Sequence, residues 1–317
     1  MRVLVAGATG AVGKQLVPQL IAAGHQVTAT TRSPGKVPGL QAAGADAAVV
    51  DGLDAVGIGE AVAKAEPEVV IHQMTALSDF DLRHVDRTFA KTNELRTTGL
   101  DHLMAAAQAA GVRRIIAQSY SGWPNIRTGG PVKTEDDPLD PDPPKAMRST
   151  LDAIKYLENA VVSSPMQGVV LRYGSLYGPG ATDAFLGMIE RRQVPVIGNG
   201  AGVWSFTHIQ DAASAAVAAL DRGDGIYNIV DDEPAPVREW LPALAAAIGA
   251  KKPFRVPVWL GRLAAGEAAV SAMTQVRGSS NAKAKRELPW ELAWPTWRDG
   301  FARGLHTVTG QDRASRP

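Results

Sequence analysis

Short apolar runs rich in β-branched residues recur along the first 230 positions: Val3–Ala6, Gln26–Thr30, Ala47–Val50, Val69–His72, Arg114–Gln118, Gly168–Arg172 and Gly225–Val230. Runs of this length without a polar alternation are the pattern of strands covered on both faces, as in a parallel sheet. Between them lie longer Ala- and Leu-rich stretches that predict helices: Lys14–Ala23, Gly59–Lys64, Arg83–Ala110 and Ser149–Val162. Strand and helix in alternation predict an α/β protein with a Rossmann-type, doubly wound parallel sheet. From Gly122 to Lys145 the pattern stops. Pro124, Gly129-Gly130, Pro131, Pro138, Pro141 and Pro143-Pro144 forbid a regular element there, and a loop of that length in a compact protein is expected to be a lid or wall of a site. After Gly178 the alternation weakens and Pro, Gly and Trp become more frequent.

The first strand runs into Gly7-Ala8-Thr9-Gly10-Ala11-Val12-Gly13 and then into a helical stretch. Glycines at these three places allow a tight turn, a close backbone approach to a pyrophosphate and close helix–strand packing, while the helix N-terminus offers N–H donors. The context of strand before and helix after makes this a dinucleotide turn, although its spacing is GxxGxxG. Gly7, Thr9, Gly10, Ala11, Val12 and Gly13 are the expected cofactor contacts. The division that follows is a dinucleotide-binding domain over 1–174, with 205–230 returning to its sheet. A smaller C-terminal substrate lobe comprises 175–204 and 231–310, and residues 311–317 form a polar tail.

The second strand ends at Thr30-Thr31-Arg32-Ser33, about 20 residues beyond the glycines, where such a fold reads the adenosine ribose. An acid there would take a free 2′-hydroxyl. A guanidinium suits a 2′-phosphate, with Thr31, Ser33 and Lys36 as further donors, so NADP(H) is preferred over NAD(H).

Further segments carry a resemblance. Asp51-Gly52-Leu53, Ile71-His72-Gln73-Met74-Thr75, Thr92-Asn93 with Thr97-Thr98-Gly99, Leu171 to Gly180, Ser205 to Asp211 and Asn281 to Lys285 stand in this order behind the glycine turn. Together they resemble the extended short-chain dehydrogenase/reductases, also called the NAD-dependent epimerase/dehydratase family, over nearly the whole chain. The resemblance implies that Asp51, Gly52 and Leu53 lie by the adenine, that Gln73, Met74 and Thr75 lie by the cofactor ribose, and that Asn93 sits on the central helix. It also implies that Tyr173 and Leu176 lie beside the nicotinamide, and that His208 and Asp211 have structural duties. A homodimer through Arg83–Ala110 and the helix after Arg148 is expected from the resemblance alone.

The chain departs from that family at the chemistry. The family's Tyr-x-x-x-Lys pair, in which the ammonium lowers the phenol pKa, is missing. Matching Glu158 to the family's Glu puts Thr150 and Ile154 at the two places, and a shift by three puts Met147 and Leu151 there. The usual Ser after the fifth strand is Tyr120, within Gln118-Ser119-Tyr120-Ser121, so Tyr120, with Ser119 and Ser121, is the catalytic candidate. Sugar-modifying members commonly place an Arg two residues before the aromatic of the Phe-x-His segment. Here that place is Trp204, which suits an apolar or aromatic ligand better than a diphosphate. Trp123, Tyr177 and Trp204 are the expected substrate contacts.

Composition narrows the partners. The 33 basic and 32 acidic residues leave a net charge of +1, which gives no global field for nucleic acid or an anionic membrane, and a small-molecule substrate is expected. With no cysteine there is neither a thiolate nucleophile nor a Cys-held zinc, and none of the six His residues stands in His-x-x-x-His spacing, so no metal is expected. No Gly-x-Ser-x-Gly elbow occurs. The chain opens without a signal-like run, and no stretch approaches about 18 uninterrupted apolar residues, so a cytoplasmic protein is expected. The expected activity is an NADP-dependent reductase acting on a small or medium apolar substrate, cyclic or open-chain. The alternatives are a catalytically silent NADP-binding sensor and a nucleotide-sugar epimerase or dehydratase.

Overall fold

The computed structural model of this chain describes residues 1–76 and 85–305. Seven strands form the central sheet: β1 (Arg2–Ala6), β2 (Gln26–Thr31), β3 (Asp46–Val49), β4 (Val69–His72), β5 (Arg114–Tyr120), β6 (Gln167–Tyr173) and β7 (Gly225–Ile229). Their order is β7-β6-β5-β4-β1-β2-β3, and every pairing is parallel. The chain winds outward from β1 to β3, then restarts beside β1 with β4 and winds the other way. That reversal opens a crevice beyond the carboxyl ends of β1 and β4, where ligands of such sheets bind. The residues Val3–Ala6, Val69–Ile71, Ile115–Ala117 and Val169–Leu171 are fully or almost fully buried, as strands covered on both faces require.

Each strand stands where its apolar run predicts it, with β5 and β6 one or two residues longer. The single helix expected over Arg83–Ala110 is two helices, Val85–Arg96 and Thr98–Ala109, and its expected first residues lie outside the described ones. Thr97 separates them. Its backbone leaves the helical region (φ −107°, ψ −90°), and its hydroxyl donates to the carbonyls of Asn93 (3.0 Å) and Glu94 (3.4 Å), a local bond that competes with the helix ladder. Of the segment expected to return to the sheet, only Gly225–Ile229 does so. Phe206–His208 instead pairs with Ser175–Tyr177 outside it, and Ile209–Ala218 is a helix docked on Ala11–Ala22. Its small residues Ala212, Ala213, Ala215 and Ala216 are fully buried, which lets the two backbones approach closely.

Apolar clusters cover the sheet on both faces. A further cluster, beyond β6, joins Tyr177 and Phe206 to Trp240, Trp297 and Phe301 from the helices Val237–Ala247 and Trp297–Arg303. Their rings meet edge to face, Phe206 with Trp240 at 5.3 Å and with Phe301 at 5.2 Å, the geometry that the ring quadrupole favours. Among the described residues no helix is long and apolar enough to cross a membrane.

Candidate active site

The turn after β1 assigns a separate duty to each glycine. Gly7 sits at φ +90°, and a Cβ there would lie 2.5 Å from the Gln73 carbonyl oxygen, so β4 passes too close for any side chain. At Gly13 a Cβ would lie 2.4 Å from the Ala8 carbonyl oxygen, the close helix–turn packing expected of the third glycine. Gly10 is different. It caps the helix Ala11–Ala22 in an ordinary extended conformation (φ −73°, ψ 176°), and a Cβ there would meet only the Gly7 oxygen at 3.5 Å. Its missing side chain therefore serves the space in front of the helix. No side chain caps this helix, so the first-turn N–H groups of Ala11, Val12 and Gly13 face that space, the arrangement that takes a pyrophosphate. Thr9 is held by Thr31 across the turn, hydroxyl to hydroxyl at 3.3 Å, and the Gly7 N–H donates to Thr30 Oγ1 at 3.2 Å.

Arg32 follows β2 directly, exposed and without hydrogen bond or ion pair among the described residues. Ser33 and Lys36 are exposed beside it. Asp51 is exposed after β3, where its carboxylate accepts from the Leu53 N–H at 3.0 Å. Gly52 allows close packing, since a Cβ would strike Met74 Sδ at 2.5 Å. Met74 is accordingly buried, while Leu53 and Thr75 stay half-buried at the crevice. Gln73 is buried and donates to the Tyr173 hydroxyl (3.1 Å), which in turn donates to the Ala212 carbonyl (3.1 Å). Tyr173 is wholly buried, and burial drives its phenol above the usual range. The structure thus puts Tyr173 beneath the site, as the support of Gln73, and corrects its expected place against the nicotinamide. Leu176 and Ser175 remain half-buried at the surface of the loop.

The end of β5 separates the three catalytic candidates. Ser119 is buried and donates to Glu158 Oε1 at 2.7 Å. Ser121 is buried among Ser279 and Asn228. Both hydroxyls are therefore structural, contrary to the expectation. Tyr120 alone stays half-buried, with its hydroxyl 3.1 Å from Ser175 Oγ and its ring 6.2 Å from Trp123. Burial raises its phenol above the ordinary value, against the hydrogen bond to Ser175 and the charge of Arg96, which pull it down.

The helix Arg148–Val162 carries Thr150, Ile154 and Glu158 one turn apart on one face, all buried. Thr150 accepts from Asn93 Nδ2 at 3.1 Å. Glu158 accepts from Arg172 through both oxygens, at 2.7 and 2.6 Å, in a bidentate buried pair. Of the residues at the Tyr and Lys places in the two registers, Thr150 is bound to Asn93, and Ile154 and Leu151 are both buried. Arg96 completes this cluster, and it was not singled out from the sequence. It is 3% exposed, its Nη1 has no partner, and burial lowers its pKa to about 10, which leaves it charged at neutrality. His72 beside it is neutral: burial lowers it to about 4, and its Nε2–H donates to the Leu95 carbonyl at 3.1 Å.

Of the expected substrate contacts, Tyr177 proves to be core and Trp204 packs half-buried against the same cluster. Tyr177 is 1% exposed amid Phe206, His208 and Phe301, and Trp204 meets Trp240 at 4.7 Å with the rings tilted by 42° and donates to the Ala272 carbonyl at 2.8 Å. Both fill the apolar lobe, where aromatic bulk stabilises. Trp123 is half-buried beside Tyr120. His208 and Asp211 have the structural duties expected of them. His208 Nδ1 accepts from the Gln210 N–H and caps its helix, while Asp211 accepts from the Ala293 and Trp294 N–H groups. The Pro-rich stretch after Gly122 is fastened down rather than free: Asn125 donates to the Arg277 and Gly278 carbonyls and Ser279 Oγ, Val132–Lys133 pairs with Gly278–Ser279, and Glu135 accepts from the Asn228 N–H.

Comparison with known proteins agrees with this geometry. The NAD-dependent epimerase/dehydratase family matches residues 3–230. The chain is 44% identical over 312 residues to a 3-diazoavenalumate denitrifying reductase of a Streptomyces species, covering 96% of this chain and 100% of that one. It is 28% identical to a 2-alkyl-3-oxoalkanoate reductase of Stenotrophomonas maltophilia, over 80% of this chain and 77% of the relative. Among solved structures, a Thermus thermophilus UDP-glucose 4-epimerase in complex with NAD superimposes with a TM-score of 0.73 at 25% identity, over 96% of this chain and 98% of that one. A dinucleotide turn with an open helix N-terminus, on a sheet of this order and with relatives of this kind, establishes that the chain belongs to the NAD-dependent epimerase/dehydratase family and is an NAD(P)-dependent oxidoreductase.

Proposed function

We propose that the chain is an NADP(H)-preferring reductase whose substrate is a small or medium molecule with an apolar body, an activated carbon and an acidic oxygen, of the diazo carboxylate class named for its 44% identical relative. The observation that carries this reading is the intact cofactor turn combined with Thr150 and Ile154 in place of Tyr and Lys. Ketone reduction and its reverse need a proton passed at the substrate oxygen, for which that pair exists. A diazo carbon conjugated with a carbonyl needs none at the moment of hydride arrival, because it is equally an enolate bearing a diazonium group. When bound, NADPH supplies the hydride. The new C–H bond forms as the C–N pair departs with N2, and the substrate oxygen afterwards takes one proton, so diazo compound, hydride and proton give the reduced carbon and N2.

NADPH preference is supported by Arg32, whose exposed guanidinium, unpaired among the described residues, follows β2 directly, the position from which such a fold reads the adenosine ribose. The half-buried Tyr120 and Trp123 give an aromatic wall, and Trp204 in place of a diphosphate-binding Arg argues against a sugar nucleotide. The test is NADPH consumption with a diazo carboxylate, following N2 release by mass spectrometry, on wild type and Arg32→Asp. The expected result is one N2 per NADPH, with Arg32→Asp losing about ten- to a hundredfold in NADPH affinity while NADH is less affected. Turnover of UDP-glucose without turnover of any diazo carboxylate would overturn the proposal.

A further inference from the structure

Four ionisable groups are buried together under the end of β5. Arg172 and Glu158 neutralise each other in a bidentate pair, and His72 is neutral. Arg96 remains. The oxygens of Glu158 are already taken by Arg172 and Ser119, so Arg96 leaves the cluster with one net positive charge, and its side chain makes no hydrogen bond among the described residues. Burying a guanidinium unpaired costs several kcal/mol, a cost ordinarily met by an anion. Three residues earlier on the same helix, and so on the same face, Asn93 binds Thr150 while its Oδ1 is buried without a partner. The charge of Arg96 is also felt by the phenol of Tyr120, the one candidate at the end of β5 that is not fully buried. Donor and charge therefore converge on the place where the family's Tyr and Lys would act, but they come from the neighbouring helix Val85–Arg96.

We propose that Arg96, flanked by Asn93 and Tyr120, is the docking point for an oxyanion of the substrate: a phenolate, enolate or carboxylate oxygen conjugated with the carbon that receives the hydride. The inference rests on the reductase reading for the identity of that carbon. It gives Arg96 a duty of its own, since a charge-assisted contact to Arg96 holds the substrate's negative oxygen and leaves the electron-poor carbon to face the cofactor. Tyr120 adds a second donor to the same oxygen.

The probes are 4-nitrophenol, 4-nitrobenzoate and the neutral 4-nitroanisole, each titrated into the protein saturated with NADP+. Wild type is expected to hold 4-nitrophenol as the coloured phenolate at a pH where free nitrophenol is mostly protonated, at least about tenfold more tightly than 4-nitroanisole. Arg96→Met should lose about tenfold or more of that affinity together with the phenolate band, whereas Arg96→Lys should retain the band and NADP+ affinity should be unchanged in both. Stronger Arg96-dependent binding of 4-nitrobenzoate than of nitrophenol would support the site and identify the oxyanion as a carboxylate. Equal binding of the phenolate and 4-nitroanisole by wild type would overturn the proposal even if Arg96→Met does not fold. So would Arg96→Met binding both anions like wild type, or losing NADP+ affinity to the same degree. No turnover is involved, so a protein that holds the phenolate through Arg96 but consumes no NADPH with diazo carboxylates refutes the reductase reading alone.

Discussion

Gly10 and Gly13 stand three residues apart in one turn, yet the structure gives their substitution to Ala opposite consequences. At Gly10 the backbone is open to any L-residue, and an added Cβ meets one oxygen at 3.5 Å, ordinary van der Waals contact. Replacing Gly by Ala at a helix N-cap costs about 1 kcal/mol or less, which lowers the melting temperature of a chain this size by no more than a few degrees. The new methyl, however, occupies the space in front of the Ala11 and Val12 N–H groups. Each charge-assisted bond it prevents is worth about 1.5–3 kcal/mol, or roughly ten- to a hundredfold in affinity. At Gly13 the added Cβ would sit 2.4, 2.5 and 2.7 Å from the O, C and Cα of Ala8, all of them backbone, which no rotamer change relieves. Overpacking of this kind costs about 1–3 kcal/mol or more, so stability falls along with affinity. Calorimetric titration with NADPH and thermal melts of the two variants separate the effects: Gly10→Ala should melt close to wild type and bind cofactor poorly, and Gly13→Ala should fail in both. Wild-type NADPH affinity in Gly10→Ala, within about twofold, would refute the assignment of this turn to the pyrophosphate.

Tyr120→Phe keeps the ring against Trp123 and removes only the donor; single-turnover NADPH oxidation should slow by roughly ten- to a hundredfold with unchanged cofactor affinity, and an unchanged rate would leave Tyr120 as wall only. Burial pushes the Asp211 carboxyl from 3.8 up to about 6, against the pull of its bonds to the Ala293 and Trp294 N–H groups. The folded state therefore holds a proton that the unfolded state has lost between about pH 4 and 6, and stability contributed by this group falls as pH rises through that window, by up to about 3 kcal/mol. Denaturant melts at pH 4.5 and 7 should show a smaller difference for Asp211→Asn, and an identical difference would count against the buried carboxyl. Ile154→Lys places a third cation, one turn from Glu158, in a cluster already carrying one excess positive charge; it should destabilise by about 3 kcal/mol or more, and Arg96→Leu in the same chain should recover at least about 1 kcal/mol beyond additivity. Additive melts would separate the two positions.

The sheet was legible because each strand is an apolar, β-branched run covered on both faces, a signal that survives without any partner being known. The split at Thr97 was not, since it depends on one hydroxyl choosing the Asn93 carbonyl. The helix Ile209–Ala218 escaped for another reason: alanines that pack against Ala11–Ala22 give little apolar contrast in the sequence. Around the crevice, the glycine turn between strand and helix, the position of Arg32 just after β2 and the end of β5 at Tyr120 could be read from spacing. Arg96 was illegible. A cation in the last turn of a helix ordinarily complements the helix dipole in solvent, and only its burial sets it apart. Its position three residues after Asn93, on the face turned to the helix with the missing Tyr and Lys, was the signal available. For Tyr177 and Trp204 the sequence offered an aromatic without saying whether it faced a ligand or the lobe, and packing resolved both toward the lobe.

The charge pattern around Tyr120 also bears on direction. Oxidising an alcohol, the first half of an epimerisation that runs through a transient ketone, requires a base that takes the hydroxyl proton as hydride leaves. A Lys beside a Tyr provides that base by bringing the phenolate within reach of neutral pH. Here Ile154 leaves that position apolar, and the pull of Arg96 does not offset burial, so Tyr120 stays a phenol above its usual range and is a donor rather than a base. His72 is no substitute, as its Nε2–H is committed to the Leu95 carbonyl and its Nδ1 is enclosed. The raised carboxyl of Asp211 is bound to backbone N–H groups behind the lobe. Among the described residues at the end of β5, then, donors and one positive charge remain, but no base poised near neutrality. A site of that composition stabilises a negative oxygen and gives nothing to a departing hydroxyl proton, which favours an acceptor that arrives activated and leaves reduced.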